Sequence, residues 1–201
     1  MTDDRRRAQR RTTLAFVLAL VCFEVVAMSV STENLILHEH DGLLHVTAPR
    51  LHFLSGRSMQ RLHDGAIVPF DFQLTIAAGV RSNVVERSLE RFMISYDLWE
   101  EKFRVVRVGS ARKSSRNLSA NAAEAWCLEN LLISSGRLPA NQELWARLEV
   151  RSADPKDRET AGPDAGLSLA TLIDLFSRPP RLQQDHWTVE SSSFHLSDLR
   201  R

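Results

Sequence analysis

From Ala66 to Ile76 apolar and polar residues take strict turns. Val68, Phe70, Phe72, Leu74 and Ile76 alternate with Pro69, Asp71, Gln73 and Thr75. A period of two belongs to a β-strand, whose successive side chains point to opposite faces. The run therefore predicts a strand with five large apolar residues lining a core and with Asp71, Gln73 and Thr75 facing water. Pro69 has no N–H to donate to a ladder, which places this end at a sheet edge or a bulge. The Asp64-Gly65 pair before it signals a turn.

The rest of the chain supplies partners for that strand. Leu43 to Phe53 is a second extended run, broken by Pro49, and Asp41-Gly42 before it predicts a hairpin with Leu35–Leu37. Ser58–His63 fits one or two helical turns with Met59 and Leu62 inward. Arg91–Leu98 and Phe103–Val108 predict a hairpin around the charged link Glu100-Glu101-Lys102, with Tyr96 and Leu98 on the inner face. Ser119–Ser135 is the strongest helix. Ser119 or Asn121 can cap it, Glu124 stands at capping-box spacing from Asn121, and Gly136 and Pro139 end it. Ala122, Ala125, Leu128 and Leu132 share its inward face, widened by Trp126 and Ile133. Leu144–Val150 alternates again, with Leu144, Ala146, Leu148 and Val150 inward. Arg151–Gly166 is polar and predicts a loop, Leu167–Ser177 a short helix, and Trp187–Leu196 a last strand. The expected fold class is α+β: a mostly antiparallel sheet with two helices covering one face, preceded by an N-terminal hydrophobic segment.

That segment gives the chain an address. Arg5, Arg6, Arg7, Arg10 and Arg11 precede Leu14–Val30, which is apolar except for Glu24 and Ser29. Basic residues stay on the cytoplasmic side, so the chain beyond this segment is expected to cross a membrane. One reading is a signal peptide with Leu14–Phe23 as its apolar region and Ala27-Met28-Ser29 as its cleavage site. The other is a retained anchor, whose 17 residues reach about 25 Å as a helix, at the short end for a span. Val21 before Cys22 does not fit a lipoprotein signal, and Arg10-Arg11 reads as an ordinary basic leader. The expected organisation is thus 1–32 as signal peptide or single membrane anchor and 33–201 as one extracytoplasmic, periplasmic domain.

Charge and motifs then narrow the function. The whole chain holds 26 basic and 25 acidic residues; residues 1–29 hold five and three of them, which leaves 21 and 22 in the body. A neutral body has no field to gather nucleic acid, so none is expected as a partner. Of two cysteines, Cys22 lies in the leader and Cys127 is expected as a small buried hydrophobe. No P-loop, nucleophile elbow, dinucleotide or zinc-protease motif occurs in the sequence. His38-Glu39-His40, with His45 and His52 on the next strand, is the one metal-like grouping, and it lacks a preorganised third ligand. Asp97, Glu100 and Glu101 beside Tyr96 and Trp99 have the composition of a carboxylate acid/base pair or a sugar site. Arg57, Arg61, Arg87 and Arg91 could form an anion patch. Asn117-Leu118-Ser119 is a glycosylation sequon in a eukaryotic context, and Ser191-Ser192-Ser193 is expected as an exposed strand stretch. The expectation is no catalytic, cofactor-binding or metal residue and no cofactor.

Four stretches of the body carry a family likeness. They are Met59-Gln60-Arg61-Leu62-His63-Asp64-Gly65 with the alternating strand, Phe92-Met93-Ile94-Ser95-Tyr96-Asp97-Leu98, the helix after Asn117, and Trp187-Thr188-Val189-Glu190-Ser191. Through them the body resembles a family of bacterial envelope proteins classed as a domain of unknown function. It departs from that pattern where Ala77-Ala78-Gly79 replaces a tryptophan-rich stretch. The resemblance implies an N-terminal signal or anchor and an exported domain, and it carries over no catalytic residue. The expected function is a non-enzymatic envelope module. It would touch the membrane through its N-terminal segment and bind an envelope protein or component through an exposed sheet face or edge. The alternative is a small exported hydrolase using carboxylates around Asp97–Glu101. No oligomeric state is assigned.

Overall fold

The computed structural model describes residues 35–109, 112–153, 177 and 184–199. All of them belong to the compact unit Ser31–Arg201. The N-terminal segment, residues 154–166 of the loop expected at Arg151–Gly166, and the helix expected at Leu167–Ser177, save Ser177 itself, lie outside the described residues; Arg151 and Ser152, expected in that loop, end a strand instead.

Among the described residues, nine strands and two α-helices of more than one turn follow one another. They are β1 (Ile36–His40), β2 (Leu43–Thr47), α1 (Gly56–His63), β3 (Val68–Ala78), β4 (Val84–Asp97), β5 (Lys102–Val108), β6 (Lys113–Leu118), α2 (Ala120–Glu129), β7 (Ile133–Ser134), β8 (Leu144–Ser152) and β9 (His186–Glu190). Six strands form an antiparallel sheet in the order β6-β5-β4-β3-β8-β9, and β1-β2-β7 form a smaller one. This is an α+β fold. Asp41 and Gly42 both take positive φ, 51° and 76°, and close the β1–β2 hairpin that the Asp-Gly pair predicts.

The inner face of the large sheet is hydrocarbon. Val68, Phe70, Phe72, Leu74 and Ile76 are fully buried, beside Phe92 and Ile94 of β4 and Leu144, Ala146, Leu148 and Val150 of β8. Over them lie Leu62 of α1, Ala123, Cys127 and Leu128 of α2, and Leu37, Leu44 and Val46 of the small sheet, all in one cluster. Phe53, in the β2–α1 connection, sets its ring 5.2 Å from both Phe70 and Phe72. At the start of α1 the Asp185 carboxylate, from just before β9, accepts from Ser58 N–H at 2.8 Å and supplies the cap that Ser55 does not.

The structure corrects several expectations. β3 lies in the middle of the sheet, and Asp71 and Gln73 are buried, not wet. The strand register sets Arg91, Asp71, Arg151 and His186 side by side across β4, β3, β8 and β9. Arg91 grips both oxygens of Asp71, through Nε and, at 2.7 Å, through Nη2. In the next row Glu149 faces Gln73 and pairs with Arg147 at 3.0 Å and Arg151 at 3.3 Å. The polar half of the alternating pattern is therefore an ion-paired layer, since a buried charge is stable only when paired and hydrogen-bonded.

Pro69 is tolerated in this central strand because it stands at the end of the β8 pairing. Its carbonyl accepts from Ala153 N–H at 2.8 Å. The bond that a residue-69 N–H would return is missing, and the Ala153 carbonyl is taken instead by Arg61 Nη1 at 3.1 Å.

Other boundaries move. α2 stops at Glu129, short of Ser135, with Asn130 as C-cap. Leu131 and Ile133 then enter the core, and Ile133 pairs with Leu44. The buried face of α2 is Ala123, Glu124, Cys127 and Leu128, while Ala122 and Ala125 are exposed. Ser119 is the N-cap, accepting from Ala122 N–H, so Glu124 plays no part in a capping box. The extended run from Leu43 ends at Thr47, before Pro49. β6 was not expected; its sequence, Lys-Ser-Ser-Arg-Asn-Leu, has no apolar alternation because it is an exposed edge. The last strand ends at Glu190, and Ser191 is buried, its Oγ accepting from Ala146 N–H at 2.9 Å.

Candidate functional site

The most exposed large apolar side chain of the described residues, Trp99, stands on the β4–β5 turn. Val68, the first residue of β3, faces Ile94, so β4 runs three residues further to Asp97. At ~3.3 Å per residue that overhang is about 10 Å. Its base is braced: the Tyr96 ring lies 4.8 Å from Phe103 and stacks on His63 at 4.5 Å. Its apex is tied down by Asp97, whose Oδ1 accepts from Trp99 N–H at 2.9 Å and Glu100 N–H at 3.1 Å. This is an Asx-type turn, in which the side chain takes up backbone donors that water would otherwise satisfy. Glu101 then takes φ 53° to lead back into β5.

The side chains at the apex reach solvent. Trp99 is 97% exposed and Leu98 58%. Leu98 was expected on the inner face, but the strand ends one residue before it and its alternation ends there too. Glu100 and Glu101 are exposed as well. A carboxylate pair for acid/base work needs one member in an apolar pocket to hold its proton near neutrality. These carboxylates lie on a convex turn, and Asp97 holds backbone.

The other candidates are dispersed. His38 and His40 are exposed on β1, and His38 sits opposite His45. Glu39 between them accepts from Gly42 N–H and Ser135 Oγ. Among the described residues no three His, Cys, Asp or Glu side chains gather as a metal would require. Arg91 holds Asp71, Arg61 holds a carbonyl, and Arg57 and Arg87 point to solvent from α1 and β4, so the four do not form one patch. Cys127 is fully buried; burial, and next the charge of Glu124, push its thiol well above the usual range, which leaves no thiolate to react.

One pairing was invisible in the sequence. His52 lies in the connection after β2, not on a strand, and its Nδ1 is 3.1 Å from Glu124 Oε2. The other oxygen of Glu124 accepts from Leu54 N–H at 2.8 Å. The buried carboxylate thus clasps the β2–α1 connection to α2 beside an open groove of about 230 Å³ lined by Thr47, Pro49, Asn121 and Leu128. The two residues are 72 positions apart, and no spacing rule links them. No family model, curated protein or solved structure matches the chain.

Proposed function

We propose that the chain is a non-enzymatic binding module of the bacterial envelope. Its N-terminal segment, cleaved or retained, carries residues 33–201 out of the cytoplasm, and the domain engages a protein partner through the β4–β5 turn. The observation that carries this reading is the 97% exposure of Trp99 on a braced and hydrogen-bonded turn. A large aromatic side chain left in water is unfavourable for the free protein and is the residue type most enriched at binding hot spots. A turn already fixed by Asp97 loses little conformational freedom on docking. The same geometry weighs against the hydrolase, because Glu100 and Glu101 stand exposed on the turn and not in a cleft that could hold a substrate.

Two measurements test the reading. A reporter fused after Arg201 should work only in a form that is active outside the cytoplasm; cytoplasmic activity would remove the export half. The full chain, tagged and extracted from its membranes, should retain a defined partner that Trp99→Ala loses while its unfolding midpoint is unchanged. An identical partner set for both proteins would remove the docking half.

A further inference from the structure

Resting on that reading, we propose that the Leu98–Trp99 tip docks into an apolar pocket of a protein whose rim carries lysine and arginine, and not into a lipid surface. The tip combines two chemistries. At its apex are an indole and an isobutyl group with no packing partner in the core, 97% and 58% exposed. Directly flanking them are the carboxylates of Asp97, Glu100 and Glu101 against the single ammonium of Lys102, all exposed. Six consecutive residues therefore present an apolar knob inside a collar of net charge −2.

A bilayer is a poor match for that collar. Anionic headgroups repel it, and any bilayer would have to take carboxylates into its interface as the indole enters. Interfacial tryptophans that anchor to membranes commonly work beside lysine or arginine, the opposite pattern. A protein pocket suits both parts. The cavity removes the indole from water, and a basic rim answers the carboxylates where rim charges act, on approach and on selection of partner. The structure keeps the two parts in register, because the Asp97 oxygen that holds the Trp99 and Glu100 N–H groups fixes the knob relative to the collar.

The test uses the full chain in its native membranes, with Trp99 replaced by the photo-cross-linking residue p-benzoylphenylalanine. Illumination should join position 99 to one protein, and the cross-linked peptide should carry apolar residues together with Lys or Arg. The yield should fall as salt rises and drop by at least about tenfold when Glu100→Lys and Glu101→Lys are combined, since reversed rim charges oppose a basic rim. Both carboxylates are solvent-exposed, so the thermal midpoint of that double variant should match the parent and exclude misfolding as the cause. A protein adduct indifferent to salt and to charge reversal overturns the basic rim and leaves the module standing. An adduct with lipid alone overturns the protein partner. Absence of any adduct overturns this proposal and the docking reading together.

Discussion

The two faces of the central sheet each hold a partly buried carboxylate, and they treat it in opposite ways. On the hydrocarbon face Glu90 sits across from Phe72, and burial raises its pKa more than Arg107, 4.0 Å away, lowers it. On the polar face Glu149 sits across from Gln73, and its pKa is lowered. The His186 imidazole, 3.7 Å away, lowers it most; burial opposes this, and Arg147 and Arg151 lower it further. The comparison shows that burial alone does not set the acidity of a group in this sheet. What differs is the company each carboxylate keeps: Glu149 has His186 of the neighbouring strand and two arginines of its own strand within 4 Å, whereas Glu90 faces Arg107 at 4.0 Å.

The largest test of that contrast strikes both faces at adjacent residues of β3. Phe72→Ala should cost ~3–5 kcal/mol through a cavity among packed rings. Asp71→Ala should cost ~3–5 kcal/mol at most, by leaving the mostly buried Arg91 guanidinium without its carboxylate. Urea unfolding at neutral pH measures both. A loss below about 1 kcal/mol for Asp71→Ala would return the polar face to the surface class.

Acid sharpens the comparison next. Because the folded pKa of Glu149 lies below its ordinary value of 4.5, its contribution is complete above that value and disappears as pH falls through the folded pKa. Glu90 has the reverse sign: its folded pKa lies above 4.5, so its contribution is present below 4.5 and is lost as pH rises through the folded pKa. Glu149→Gln should therefore destabilise at pH 7 and flatten the loss of stability in acid, whereas Glu90→Gln should leave stability at pH 7 equal or higher. Unfolding curves between pH 7 and pH 3 on both variants separate the two signs. Equal slopes would show that the faces do not differ.

Smaller effects probe the ends of the polar face. Arg61→Ala should cost about 1–2 kcal/mol, the usual penalty for leaving a buried polar group without its bond, here the Ala153 carbonyl. Thr75→Ala should cost less than about 1 kcal/mol, because Thr75 is half-exposed and accepts only a long 3.3 Å bond from Gln73 Nε2.

The alternation of Val68–Ile76 made the apolar face of the sheet legible, and Leu144–Val150 did the same for β8. A period of two shows which residues share a face; it does not show what lies over the second face. Asp71 looked wet because its partners, Arg91 and Arg151, stand 20 and 80 residues further along and come alongside only through strand order. β6 was illegible because an exposed edge strand needs no apolar residues. The end of α2 was misplaced because Gly136 offered a local stop, whereas the tertiary contacts of Leu131 and Ile133 ended the helix earlier. At the candidate site the turn itself was legible from Glu100-Glu101-Lys102. The weight of Trp99 was not, since an aromatic residue next to a strand end reads equally well as core.

The place of β3 in the strand order also bears on how the molecule comes together. β3, β4, β5 and β6 pair each with the next in the chain, so they can assemble from local hairpins as soon as they are made. β8 must return to β3 from far along the sequence, with Phe72 meeting Val150, and such closure is slow. Until it happens β3 is an open edge carrying Phe70, Phe72, Leu74 and Ile76, the kind of edge that recruits strands from other molecules. Pro69 interrupts that edge on the side β8 later covers, where its missing donor costs nothing in the finished sheet. A chain halted before Leu144 is thus the species most in need of a chaperone, and the proline in its central strand is a protective device for the time before that strand becomes central.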